Sequence, residues 1–573
     1  MHNTIFMRRL TILTVAFLTG SLMAIAQPKF ATKIKKGIFS VNTYDQQGNL
    51  LHQGTGFYVG ANGEAIADYR LFKEAYKAVV TDNKGKWDVD YIMGADDTYS
   101  LVHFHVNTKG NFVIPSVSSV QPMNSPLFIL HDAGKDKLQS EQAVVADTSS
   151  IQEKYVYYGL DTQVDGELIG SPVFNESGAL VGILHSQIGG KSHVLDIRFK
   201  EVLKIDAIPS SSASVALSHI FIPKTLPDTA EEALVYLYFR SRSTSNEEYM
   251  DMVNRFVSTY PQNAEGYLRR ATPLVDLLRF DEADKDLQKY LSLVENKANG
   301  HFNVASIIFD KLRLQPEPAY DKWTYEVALQ HANQAISLNE SVTADADRKA
   351  NDEKYKILKG QILMEKKDYD AAIALYEGLN QGDPRSASYL YAISMAREAR
   401  GDSISEVIAP LDSAIALFGT PMPKEAANYV IRRGQLYANS GKYRDAVQDY
   451  NQYCYLLNNK VSAVFYYERY QIEVNARMFQ PALDDINKAI EKSPRTPLYY
   501  VEKAALCIRV NLLDECIEAC QTAIQLNPDI IDSYRLLGYA QLQKGDKTSA
   551  RTNLEKAVSM GDEAAQKILD TYF

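Results

Sequence analysis

Cysteine is scarce in this chain of 573 residues: there are four, Cys454, Cys507, Cys516 and Cys520, all in the C-terminal third. A disulfide framework for the N-terminal two thirds is thereby excluded. Cys516 and Cys520 stand at i, i+4 on an apolar helical face, and no histidine joins them at ligand spacing. Core packing is the expectation, not a disulfide or a metal site. Positive charge is also short, with 61 Lys and Arg against 71 Asp and Glu and a net charge of -10. That balance argues against a nucleic-acid binder held by phosphate contacts. Long apolar runs are absent after the first 26 residues, so no membrane span is expected beyond the N-terminus. No cofactor and no metal are expected. What remains, 46% apolar and 23% charged, is the composition of a soluble globular protein,. Its length predicts two to four domains.

The N-terminus carries an address. Arg8-Arg9 precede the apolar run Leu10 to Leu22, and Ala24-Ile25-Ala26 stands before Gln27. A basic start, a short apolar run and a small-x-small site make residues 1–26 a secretory signal peptide, cut after Ala26. No cysteine follows the run, so a lipid anchor is not expected. The mature protein is placed in the periplasm or cell envelope.

Residues 33–208 read as short strands separated by turns. Ile38 to Val41 and Gly54 to Val59 flank Gln47-Gly48-Asn49, a hairpin signal,. Further apolar runs lie at Ala78-Val79-Val80, Leu101-Val102, Pro126 to Leu130 and Leu180 to Leu184, with Val202 to Ile208 as the last element. Many short strands predict a closed or double all-β barrel. Gly54-Thr55-Gly56-Phe57-Tyr58-Val59, then Ile66-Ala67-Asp68-Tyr69-Arg70-Leu71, resembles the entry of trypsin-like serine peptidases, and Gly170-Ser171-Pro172 before Val181-Gly182-Ile183 resembles their nucleophile loop. The resemblance implies a double β-barrel of the chymotrypsin and HtrA type. On that alignment the general base falls on Arg70, the aspartate on Ser100 in Tyr99-Ser100-Leu101-Val102, and the nucleophile on Ile169.

The triad mechanism needs a nucleophile, a base within hydrogen-bond reach and a group that fixes the base's tautomer. Ile169 has no lone pair, and Arg70 does not release its proton near neutral pH. Ser171 lies two residues too far along the loop. His103 and His105 share one strand face, but no third metal ligand accompanies them. The expectation is a pseudoprotease.

Pro209-Ser210-Ser211-Ser212-Ala213-Ser214 opens a linker, residues 209–227, whose later part, Val215 to Pro227, reads as extended chain lying against a neighbour,. From Asp228 to the C-terminus the period becomes 3.6, and the chain repeats every 34 residues. Tyr500, Ala504, Cys516, Cys520 and Ala523 recur 34 later as Tyr534, Gly538, Ala550, Leu554 and Ala557, and 34 earlier as Tyr466, Tyr470, Ala482, Ile486 and Ala489. This resembles the tetratricopeptide repeat, an all-α array of helix pairs. About eight pairs are expected over 228–573, with the segments near 300–340 and 386–418 helical but irregular, as degenerate repeats.

In that family the first helix of each pair lines a groove. Gln361, Asn428, Gln435, Asn439, Tyr467, Gln471, Asn475, Arg509, Arg535 and Tyr539 fall on groove positions. Side-chain amides can pair with both N–H and C=O of an extended peptide. Together the two halves imply an exported, non-catalytic scaffold that holds a protein or peptide partner through its repeats, compatible with peripheral attachment to a membrane complex. The alternative is an active periplasmic serine peptidase whose repeats recruit substrate.

Overall fold

A computed structural model describes residues 27–132, 138–188, 191–208, 212–340, 345–381 and 386–573. Residues 1–26, expected to be a signal peptide, and residues 209–211 of the expected linker lie outside the described residues. The chain divides into two compact units, Met1–Glu295 and Asn296–Phe573.

The first unit begins with a single helical turn, Ala31–Ile34, both ends of which are buried. Six strands then close a barrel: β1 (Ile38–Tyr44), β2 (Leu50–Tyr58), β3 (Glu64–Asp68), β4 (Lys77–Asp82), β5 (Gly85–Asp96) and β6 (Leu101–Val106). The alternation of IFSVNTY puts every second side chain of β1 inside, as a period of two requires,. The expected turn joins β1 to β2, paired antiparallel from Ile38–Phe57 to Tyr44–Leu50, with Gly48 at φ +86°. A second barrel follows, of β7 (Pro126–Asp132), β8 (Leu138–Ile151), β9 (Tyr155–Leu160), β10 (Pro172–Phe174), β11 (Leu180–Ile188) and β12 (Lys191–Asp196). Around the barrels the orders are 1-2-3-6-5-4 and 7-8-9-12-11-10, the same path twice. Closure leaves neither sheet an unpaired edge.

Phe57, Ile66 and Leu101 of the first barrel share one apolar cluster with Leu130, Phe174, Ile183 and Leu195 of the second. The two barrels therefore meet across a common core. One expectation fails here. Val202 to Ile208 is not a strand; a 3-10 turn, Ile197–Val202, ends there and irregular chain follows. The reason is a close approach: the Leu203 backbone lies where a Cβ on Gly94 would sit, at 2.3 Å, so this segment runs over β5 rather than pairing in the sheet.

The linker is not loose after α1 (Ser212–Ser218). Phe221 N–H donates to Ala75 at 2.9 Å, Ile92 N–H to Pro223 at 2.7 Å and Thr225 N–H to Ile92 at 2.8 Å. Ile220 and Ile222 are buried. The extended reading of 215–227 fails for Val215 to Ser218, which complete α1, and the neighbour that Phe221 to Thr225 lie against is the first barrel.

Two helix pairs complete this unit: α2 (Ala230–Arg240) with α3 (Asn246–Thr259), and α4 (Ala264–Asp276) with α5 (Phe280–Leu293). The second unit continues with α6 (Lys297–Leu314) and α7 (Tyr325–Asn339), α8 (Asp345–Glu365) and α9 (Tyr369–Leu379), α10 (Ala387–Arg400) and α11 (Ile404–Ala416), α12 (Ala427–Asn439) and α13 (Tyr443–Leu456). It ends with α14 (Ala463–Asn475) and α15 (Phe479–Lys492), α16 (Pro497–Arg509) and α17 (Leu513–Leu526), α18 (Ile531–Gln543) and α19 (Lys547–Ser559), then α20 (Glu563–Tyr572). Nine pairs are present among the described residues, one more than expected. The stretches taken as irregular are the pairs α6–α7 and α10–α11.

Small residues recur because the two helices of a pair touch there. A Cβ on Gly538 would meet Leu554 at 2.7 Å, and one on Gly360 would meet Tyr376 at 2.4 Å. The four cysteines are free and buried, as packing residues are.

Candidate functional site

Two of the three triad-type positions, Arg70 and Ser100, converge on one carboxylate. β3 ends at Asp68, which caps the following turn by accepting the Arg70 amide at 2.8 Å. The Arg70 guanidinium folds back onto the same carboxylate, Nε at 2.9 Å and Nη2 at 2.6 Å. Ser100 Oγ donates to Asp68 Oδ1 at 2.9 Å. Asp68 is only 5% exposed. It thus gathers four donors from two strand ends, and its hydrogen bond raises the Arg70 pKa further above the ordinary guanidinium value. Arg70 is a fixed cation here, and Ser100 an uncharged donor to the carboxylate that holds it.

Across a cleft of about 310 Å³ from Arg70 stands the loop with Ile169. Asp165 caps a 3-10 turn, Gly166–Leu168, and Gly170 takes φ +92°, open to glycine at little strain,. Acyl transfer of the trypsin kind holds its oxyanion on the N–H of the nucleophile residue and of the residue two before it. Those groups are Ile169 N–H, which donates to Gly166 O at 3.3 Å, and Glu167 N–H, which donates to Asp165 Oδ1 at 3.0 Å. Both amides are spent inside the turn. Ser171 is 3% exposed and its carbonyl accepts from Leu184 N–H at 2.9 Å. His52 and His131 line the same cleft.

Other histidines have partners. His103 Nε2 pairs with Glu64 at 2.9 Å and His105 Nδ1 with Asp90 at 2.7 Å. His185 on β11 shares a hydrogen bond with the Tyr157 hydroxyl on β9, and burial lowers its pKa despite the nearby Asp68 charge. Tyr157 also stacks on His193, with ring centres 5.0 Å apart. This cluster was not singled out from the sequence, since three strands bring it together.

The ten groove-type residues all fall on first helices: Gln361 on α8, Asn428, Gln435 and Asn439 on α12, Tyr467, Gln471 and Asn475 on α14, Arg509 on α16, Arg535 and Tyr539 on α18. Gln361, Asn428, Asn439, Gln471, Asn475 and Arg509 are exposed. Some already have partners. Gln471 Nε2 donates to the Tyr467 hydroxyl at 3.0 Å, which reaches Glu502 at 3.4 Å. Arg535 pairs with Asp532 and Asp562. Between the first helices α6 and α8 lies a pocket of about 460 Å³ with Phe302, Ile357 and Leu358 among its walls and Gln361, Asp310 and Glu353 beside them. Lys354 sits 4.0 Å over the Phe302 ring.

A device missed in the sequence fixes this face. Arg270, Arg433 and Arg469 each form two hydrogen bonds with an aspartate sixteen residues on, Asp286, Asp449 and Asp485, at 2.5–2.9 Å. The remaining Nη1 reaches the second helix of the preceding pair, at Asn254, Asp412 and Asn451. The recurring Arg-x15-Asp spacing was the available signal.

The tetratricopeptide repeat family model matches residues 354–379 and 531–560. A DnaJ homolog subfamily C member 7 homolog of Dictyostelium discoideum is 22% identical over 369 residues, 64% of this chain. The chain spans 60% of that relative's length. Among solved structures, the serine endoprotease from Yersinia pestis aligns at TM-score 0.26 and 15% identity over 30% of this chain and 62% of its own. A protease from M. tuberculosis in its active form aligns at TM-score 0.28 and 11% identity, over 36% and 89%. The chain thus joins two closed six-stranded β-barrels to an array of helix pairs that carries tetratricopeptide repeats. Among the described residues no helix is long and apolar enough to cross a membrane.

Proposed function

We propose that this protein is an exported, non-catalytic binding or scaffold protein of the bacterial envelope. Its repeats hold an extended protein segment, and its barrel has the form of a protease without the reagents. The observation that carries this reading is the loop at Ile169. A hydrocarbon stands at the nucleophile position, and both amides that would hold an oxyanion are engaged within the turn. Restoring a hydroxyl would not by itself restore catalysis, because Arg70 faces that loop as a cation bound to Asp68. Export rests on the tripartite pattern of residues 1–26, and peripheral attachment to a membrane complex is consistent with it.

The binding half rests on the exposed amides of the first helices and on the apolar pocket beside Gln361, which can seat one side chain while amides pair with backbone,. Replacing Gln435, Gln471 and Asn475 together with Ala should lower recovery of proteins cross-linked to the chain in envelope fractions, with the thermal midpoint unchanged. Undiminished recovery would remove the groove. Cleavage of casein by the purified protein would remove the non-catalytic half.

A further inference from the structure

The first unit contains a cavity of about 460 Å³ where the first barrel, the linker and the α2–α3 pair meet. Part of its wall is apolar: Ile205, Leu217, Ile220 and Tyr236 are all buried. Tyr76 and Phe221 also line it, stacked 4.3 Å apart and each nearly half exposed. Two cations enter this setting, Lys224 from the linker and Arg240 from the end of α2.

Their hydrogen-bonding capacity exceeds what surrounds them. Arg240 Nη2 donates to Glu248 Oε1 at 3.0 Å, while Arg240 Nε is buried and has no hydrogen-bond partner. Lys224 Nζ donates to the Ile220 carbonyl, a neutral acceptor. The cavity's other acid, Asp206, is solvent-exposed. Lys224 faces only a neutral carbonyl and Arg240 shares a single carboxylate, so a further carboxylate is the group that would satisfy both cations at once,. Glu248 and the apolar part of the wall disfavour a dianionic phosphate.

We propose that this cavity binds a monocarboxylate carried on an apolar or aromatic body, with Lys224 and Arg240 receiving the carboxylate and the Tyr76–Phe221 lip holding the body. The carboxylate comes either from a free acid or from the C-terminus of a peptide. Burial lowers the Lys224 pKa to about 8, with Arg240 acting in the same direction and Glu248 opposing it. Arg255, which donates to the Lys224 carbonyl at 2.9 Å, and Asp251 are the remaining charges on the α3 side. Affinity should therefore weaken as pH rises past about 8 and the ammonium loses its proton,.

The test is calorimetric titration of the full chain with N-acetylphenylalanine and with its amide. The acid is expected to bind and the amide to bind at least about tenfold more weakly. Lys224→Met and Arg240→Gln should each weaken the acid by a similar factor, and Lys224→Arg should retain it and remove the pH dependence. N-acetyl-Gly-Gly-Phe binding more tightly than N-acetylphenylalanine marks a peptide terminus as the source; the reverse marks a free acid. Absence of binding by the acid, equal binding of acid and amide, or full affinity in a folded Lys224→Met would overturn the proposal. If Lys224→Met fails to fold, Arg240→Gln and the pH series decide.

Discussion

A branched hydrocarbon at position 169 and a cation at position 70 were legible in the sequence because flanking motifs fix their register. Gly170-Ser171-Pro172 anchors the first, and Gly54-Thr55-Gly56-Phe57 with the following strand anchors the second. Asp68 was not legible as the hub, since its role depends on Ser100, 32 residues away. The spent amides were hidden too, because backbone hydrogen bonds leave no trace in side-chain identity. Glu473, in the repeats, supports a prediction at this scale. It is 3% exposed and its Oε2 has no hydrogen-bond partner. Burial, then the Asp485 charge, pushes its pKa from 4.5 up to about 8. The folded state therefore keeps a proton that the unfolded chain releases, and stability falls as pH rises between those values,. Glu473→Gln should remove that slope and raise the urea midpoint on the alkaline side; a variant that keeps the slope would assign it to another group.

Among elements, those with strong apolar runs were legible and those without were not. β7 and β11 announce themselves as Leu127-Phe128-Ile129-Leu130 and Leu180-Val181-Gly182-Ile183-Leu184. β8, LQSEQAVVADTSSI, is largely polar, with few of its residues buried, so its membership in the barrel comes from pairing with β7 and β9 rather than from its own pattern. Helix pairs α6–α7 and α10–α11 fall outside the repeat register, which rests on small residues at a fixed spacing of 34. The Arg–Asp clamps yield the prediction at this scale. Arg469 and Asp485 are 7% and 2% exposed, so removing Asp485 leaves a buried guanidinium whose remaining carboxylate, Glu473, is 3.9 Å away. Asp485→Ala should cost about 3–5 kcal/mol in urea unfolding, whereas the double change Arg469→Met, Asp485→Leu should cost far less. An equal loss in both would mean that the clamp stabilises mainly by joining neighbouring pairs through Asn451.

For the whole chain, two halves of different period, two then 3.6, were plain from the sequence, and the two barrels and the array of pairs follow that division. What the sequence did not show is how the barrels are held together. Their shared apolar cluster is joined by an ion pair, Lys200 Nζ to Glu64 at 2.8 Å, beside His103. The His103 hydrogen bond, then that of Lys200, pulls the Glu64 pKa from 4.5 to about 2. This contribution to stability is present above the higher value and lost as pH falls towards the lower,. Lys200→Met should shrink the acid-dependent part of the urea midpoint; an unchanged acid limb would remove the pair from the account. The most direct measurement of the central claim is intact-mass analysis after exposure to a serine-directed fluorophosphonate. No adduct is predicted, for the native chain or for Ile169→Ser, since Arg70 stands at the base position and the oxyanion amides are engaged within the turn. A stoichiometric adduct on the native chain, mapped to a hydroxyl in the cleft beside Arg70, would contradict it.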